Sequence, residues 1–322
     1  MEKETNLTEY EYNEKVMGTD LTIAIVTNSK ELADNLAKEA LLEIKTYEQK
    51  FSRFLPESEL SQLNFKKEMI VTKTFMEVFE KVQELFKETT GTFNPLFQIA
   101  RLGYTENFEE IKNQKVNNQD NQNPKKEFAE IYDVDFSKII TDQNLSKIIL
   151  SAGQKLDFGG MLKGYLAEKI AKKIKNGYTE NFTNRESGNK IQGVIVNIGG
   201  DINTQGLDVN NQEFIFEIYN PINEQDEISI KLYNESLATS GTYKRVWQNN
   251  GLKTHHLLDK TGTKNPESDV ISISIIHKDG DRADAYTKMF LSLGHEEAVK
   301  IIGSSEIKFI IIKNNGEIIK KI

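Results

Sequence analysis

Residues 156–168, LDFGGMLKGYLAE, constrain this chain more than any other stretch. They read as a strand end carrying an acid, Asp157, then two glycines, Gly159 and Gly160, then a helix whose first turns hold Lys163 and Gly164. Adjacent glycines let the main chain turn tightly and approach a ligand with no Cβ in the way. The helix start behind them offers N–H groups without helical partners and the positive end of a dipole, which suit a phosphate. Asp157 can accept from a base or ribose, and Lys163 can return toward the turn as a point charge. A plain strand-to-helix turn with a solvated lysine would use the same residues, so the remainder of the chain has to decide.

A length of 322 residues, 38% hydrophobic and 28% charged, suits one large or two modest soluble domains with a real core. The net charge of -8 argues against nucleic acid as the main partner, because phosphate backbones select basic surfaces. The absence of cysteine excludes disulfides, thiolate metal sites, a cysteine nucleophile and lipid attachment through that residue. No apolar run approaches the roughly 20 residues of a membrane span, and the first residues are polar rather than signal-like. The chain as it begins reads as cytoplasmic, or as extracytoplasmic and membrane-associated if an export signal has been removed.

Taken in order, residues 9–26 predict two strands around Met17, Gly18 and Thr19. A helix to about Lys50 follows, capped by Asn28 or Ser29 and buried along Leu32, Leu36, Ala40, Ile44 and Tyr47. Residues 51–64, FSRFLPESELSQLN, predict a loop with a short helical end, on which Phe54 reads as a satellite core residue. A helix over 74–89 ends before GTFNPL at 91–96, whose proline cannot continue it. Residues 105–127 and 178–190 are polar and read as surface excursions. Between them, short strands over 128–156 lead into the central stretch, and the helix after it runs from 161 to about 175, with Gly177 as its C-terminal cap. Residues 193–198 read as a buried strand entering a second Gly-Gly-Asp turn at 199–201, and 214–219 and 228–233 as antiparallel strands. Ser240 and Gly241 mark a turn, 270–277 is a strictly alternating strand, 282–293 a helix, and 307–322 a hairpin about Asn315 and Gly316. His255 and His256, adjacent on a strand, would point to opposite faces and make no metal pair.

Eight segments together resemble the ApbE-like FAD:protein FMN transferases: MGT at 17–19, FSRFLPESELSQLN, GTFNPL, LDFGGMLKGYLAE, VNIGGD at 196–201, ATSGTYKR at 238–245, HHLLDKTG at 255–262 and DRADAYTKMFLSLG at 281–294. The resemblance implies an α+β, T-fold-like architecture of antiparallel sheets flanked by helices, forming a single domain over 1–322 with surface insertions near 105–127 and 178–190. It also implies a reaction: a threonine or serine hydroxyl of a partner flavoprotein attacks the FMN-side phosphorus of FAD, AMP leaves, and FMN stays attached. Mg²⁺ held by oxygen ligands is the expected stabiliser of the charge that builds up.

Carried over by position, the resemblance implies that Asp157 and Lys163 contact FAD and that Met17, Phe54, Thr92, Phe93, Asn94 and Leu257 or Leu258 line its pockets, with Ser240 and His256 as secondary candidates. The Gly160 carbonyl and Asp284 would hold the metal, while Asp281, one turn earlier, is the expected general base beside the catalytic Asp284 and Lys163. Two positions depart from the family. The residue four after Asp284 is Lys288 where the family has threonine, with Thr287 rotated by about 100 degrees; an ordinary Asp284–Lys288 ion pair would need no metal. Asn94 stands where the family usually has aspartate. Three functions therefore stay open: the transferase, a pyrophosphatase giving FMN and AMP, and a non-catalytic FAD binder whose metal site Lys288 disables.

Overall fold

Apolar alternation over residues 9–26 closes into a hairpin in the computed structural model, which describes residues 6–97, 99–102, 132–176, 189–249, 252–303 and 307–322. Strands β1 (Thr8–Val16) and β2 (Thr19–Thr27) pair antiparallel, with Val16 opposite Thr19. Met17 and Gly18 take positive φ, 52° and 67°, the conformation that matches the twist of the strands they join.

Helix α1 (Lys30–Phe51) is capped by Ser29, which accepts from the Leu32 N–H, and buries the expected stripe. Phe51, expected to open the loop, is its last residue, because its ring stacks on Phe75 at 5.1 Å. Helix α2 (Glu59–Lys66) begins at the Ser58 cap, and α3 (Lys73–Glu88) begins at Thr72 and buries Phe75, Val78, Phe79, Val82 and Leu85. Three short strands, β3 (Glu68–Ile70), β4 (Ile140–Asp142) and β5 (Lys147–Ile149), form a small sheet in the order β3-β5-β4. The strand end expected at Asp157 is not formed. Leu156 gives its N–H to Asn64 Oδ1 at 2.6 Å and its carbonyl accepts from Asn64 Nδ2 at 2.8 Å, so a side-chain amide does the work of a strand partner.

Helix α4 (Leu162–Lys175) leads to β6 (Ile191–Ile198) and β7 (Asp201–Gly206), joined through Gly199 and Gly200. The expected cap Gly177, the excursion at 105–127 and nearly all of that at 178–190 lie outside the described residues. The chain continues through β8 (Phe214–Asn220), β9 (Gln225–Leu232), β10 (Ser236–Gly241), β11 (Val246–Asn249), β12 (Leu252–His255) and β13 (Val270–His277). It ends with α5 (Gly280–Leu293), α6 (His295–Ile302), β14 (Lys308–Lys313) and β15 (Ile318–Lys321).

Eight strands form one antiparallel sheet in the order β1-β2-β6-β7-β10-β13-β14-β15. Its register aligns Ile23 with Val196, Ile198 with Asp201, Asn203 with Ser236, and Ser240 with Ile273. Those residues share one face, the face covered by α1, α4 and α5. On the other face the β8–β9 hairpin packs Ile218, Ile228, Ile230 and Leu232 on Ile202, Leu237, Ile276 and Ile310. That cover leaves β13 buried on both faces although its sequence alternates. Among the described residues no helix is long and apolar enough to cross a membrane.

Candidate active site

Helices α4 and α5 touch backbone to backbone. A Cβ on Gly164 would lie 2.0 Å from the Gly280 carbonyl oxygen, and one on Gly280 would lie 2.2 Å from that of Gly164. The Gly280 N–H also donates to Glu168 of α4 at 2.6 Å. This crossing brings Lys163, beside one glycine, to Asp284, one turn past the other. The Asp284 side chain is wholly buried, with Oδ2 3.8 Å from Lys163 Nζ. Lys163 is itself paired with Asp201, which register places on the helix face at the second Gly-Gly turn. Asp284 Oδ1 is paired with Lys288, whose ammonium also donates to the Asp284 backbone carbonyl at 3.0 Å.

Beside this cluster opens a cleft of ≈ 420 Å³, lined by the β1–β2 turn at Met17 and Gly18, by Arg53, Phe54 and Leu55 after α1, and by Thr92, Phe93 and Asn94. Asp157, Gly159, Gly160, Lys163, Arg245, His256, Leu257, Leu258 and Lys288 also line it, together with Glu48, Phe51, Ser52, Phe97, Ile99 and Leu162. Phe54 is not a satellite core residue: it is 41% exposed and lies under the Arg53 guanidinium, 4.4 Å from the ring centroid. Gly160 abuts Phe93, where a Cβ would meet the ring edge at 3.1 Å. Asp157 accepts from its own turn, Gly159 N–H to Oδ1 at 2.8 Å, and pairs with Arg53 at 3.3 Å. Lys163 does not fold back on the glycine turn, because Asp201 and Asp284 hold it at the cleft wall.

The electrostatics follow from burial. His256 lies just past the end of β12; its Nδ1 is buried without a hydrogen-bond partner, and burial, reinforced by Arg245 and Lys288, holds its pKa well below the ordinary value. Its imidazole is therefore neutral at pH 7, and the same burial and neighbouring cations oppose its protonation. Burial likewise lowers Lys288 to about 7, opposed by Asp201 and reinforced by Lys163 and Arg245; its hydrogen bonds to the Asp284 carboxylate and carbonyl favour the ammonium form. Arg245 reaches the cleft from a left-handed backbone, φ 50°, a strained conformation for a residue with a long side chain.

Four expected residues do not line the cleft: Asp284 lies buried behind Lys163 and Lys288, and Ser240, Thr287 and Asp281 are held elsewhere. The Thr287 hydroxyl donates to the Asp284 carbonyl at 2.7 Å and accepts from Ser240 at 2.7 Å, so both side chains are spent between α5 and β10. Asp281, one turn before Asp284, does not reach the same cleft. The two are about 60 degrees apart around the helix, but Asp281 lines a separate cleft of ≈ 230 Å³ with Lys81, Glu168 and Arg282. There burial raises its pKa to about 6 against the pull of Arg282.

The residues present do not fit Mg²⁺. Asp284 Oδ2 lacks a hydrogen bond and is an atom that would welcome a cation. Its other oxygen already carries Lys288, Thr287 is committed elsewhere, and Lys163 stands on the open side. A divalent ion about 4 Å from one ammonium is repelled by about 8 kcal/mol at an effective dielectric of about 20. Among the described residues no group of three or more His, Asp or Glu side chains could hold a metal. Arg53, Arg245 and Asp201 were not singled out by sequence, although each lies inside a quoted segment; only cross-strand register and loop closure aim them at the site.

One large antiparallel sheet, helices on one of its faces, and a cationic cleft where their starts meet define an α+β protein whose candidate site is assembled from segments scattered along the chain. The chain belongs to the ApbE family, whose model matches residues 17–311. It is 24% identical over 186 residues to a FAD:protein FMN transferase of Klebsiella pneumoniae, covering 56% of this chain and 53% of that protein. The chain thus spans about half the length of that relative. A FAD:protein FMN transferase of Buchnera aphidicola subsp. Schizaphis graminum is 25% identical over 269 residues, covering 80% of this chain and 72% of its own. The crystal structure of an ApbE protein from Thermotoga maritima superposes with a TM-score of 0.76 at 22% identity, covering 98% of this chain and 97% of that one, and shares the fold.

Proposed function

We propose that the chain transfers FMN from FAD to a threonine or serine hydroxyl of a partner flavoprotein, releasing AMP. In this step the hydroxyl oxygen bonds to the FMN-side phosphorus, the bridging P–O bond breaks with its electron pair going to AMP, and the hydroxyl proton goes to a base. His256, with an unpartnered Nδ1 and a place on the cleft wall, is positioned to take that proton. Met17, Phe54, Leu257 and Leu258 offer apolar faces for the rings, Asp157 and Asn94 offer acceptors, and Lys163 and Arg245 meet the pyrophosphate. Residues 1–322 act as one domain in this reading, since the cleft draws on Met17 at one edge of the sheet and on Lys288 of α5. The observation that carries it is the convergence of four cationic side chains, Arg53, Lys163, Arg245 and Lys288, on one aromatic-edged cleft beside a neutral imidazole.

The test is incubation with FAD and candidate acceptor flavoproteins, followed by assay of AMP and of flavin fluorescence that stays on the acceptor after denaturation. Both products are expected. AMP with only free FMN would assign a pyrophosphatase, and intact FAD retained on the protein would assign a binder.

A further inference from the structure

Building on the FAD reading of the cleft, we propose that Lys288 is a built-in cation for the dinucleotide's pyrophosphate, replacing a divalent metal, so that the chain binds and cleaves FAD with none present. Three observations carry this. Asp284, buried without solvent, has one oxygen on Lys288 and the other facing Lys163, so its charge is already answered by the chain itself. Lys288 spends two of its three ammonium donors on Asp284, one on the carboxylate and one on the backbone carbonyl, while its side chain lines the cleft and is 24% exposed. The neighbouring hydroxyl on the same helix, Thr287, is closed off by Ser240 and the Asp284 carbonyl.

The chemistry is balanced without a metal. As the acceptor oxygen bonds to the FMN-side phosphorus and the bridging bond breaks toward AMP, negative charge grows on the departing phosphate, and a fixed ammonium can meet it there. Unlike a bound ion, this charge is positioned by a helix and by two bonds to Asp284, and it requires no ligand shell.

The experiment measures FAD affinity by flavin fluorescence, and AMP release, for wild type, Lys288→Thr and Lys288→Arg, each in EDTA and in Mg²⁺. Wild type is expected to bind FAD equally in the two buffers, within twofold. Lys288→Thr is expected to lose at least tenfold in EDTA, and Lys288→Arg to keep metal-free binding. Wild-type affinity rising tenfold or more with Mg²⁺ would overturn the proposal without any variant having to fold, as would a Lys288→Thr chain that binds in EDTA as wild type does. The two readings fail differently. Flavin transfer that requires Mg²⁺ keeps the transferase and removes the Lys288 role; Lys288-dependent binding in EDTA with no AMP and no transferred flavin keeps Lys288 and removes the transferase.

Discussion

Lys163 is held between Asp201, from the second Gly-Gly turn, and Asp284, from α5. Its truncation should therefore act twice. Lys163→Ala is expected to weaken FAD binding by about 1–3 kcal/mol through loss of a charge-assisted contact, and to lower stability by leaving Asp201 uncompensated at 3% exposure. A fluorescence titration with unchanged affinity would remove Lys163 from the site. Asp281 gives a pH dependence instead. Its carboxyl keeps its proton up to about pH 6 in the folded chain against 3.8 in the unfolded one. Between those values the native state binds more protons, so its contribution to stability is full at low pH and is lost as pH rises through 6. Above that, burying the charge costs on the order of 3 kcal/mol. The melting temperature of wild type relative to Asp281→Asn should fall between pH 4 and pH 7; a constant difference would show that the carboxyl titrates normally. At this scale sequence revealed what lies close along the chain. Asp284 and Lys288 are four apart on a helix and meet. Lys163 and Asp201 are 38 apart, and only strand register brings them together.

The elements themselves were legible where local chemistry sets them. Ser29, Ser58 and Thr72 cap their helices through side-chain oxygens, and the Met17–Gly18 turn fixes the first hairpin. The strand expected at Asp157 failed because Asn64, nearly a hundred residues earlier, binds the backbone there, which no local pattern encodes. Helix α6 and the β11–β12 hairpin went unread, being short elements whose apolar residues are too few for a clear period. The decisive element contact is the α4–α5 crossing. Gly164→Ala would place a Cβ 2.0 Å from the Gly280 oxygen, so the helices must separate. A loss of about 1–3 kcal/mol in stability is expected, with weaker FAD binding as Lys163 and Asp284 part. Denaturant unfolding and FAD titration of the variant measure both, and an unchanged pair of values would mean that the crossing does not set the site.

The whole molecule is a sheet with two different covers, helices toward the cleft and the β8–β9 hairpin on the reverse. The two faces should be separable by mutation. Leu232→Ala, on the reverse face, is expected to cost about 2–5 kcal/mol in stability while leaving FAD affinity within twofold; a large loss of affinity in folded protein would show that the reverse face also governs the cleft. The order of motifs along the chain foretold the fold, since each supplies a turn or helix start at one end of this sheet. The reverse cover was not foretold, because an alternating strand looks the same whether its second face meets water or another hairpin. One consequence belongs to the glycine pair. The gap between lysine and carboxylate is set there by main chain, not by rotamers, so transplanting the site's side chains onto another scaffold would copy its letters and lose its spacing unless both crossing helices travelled with them.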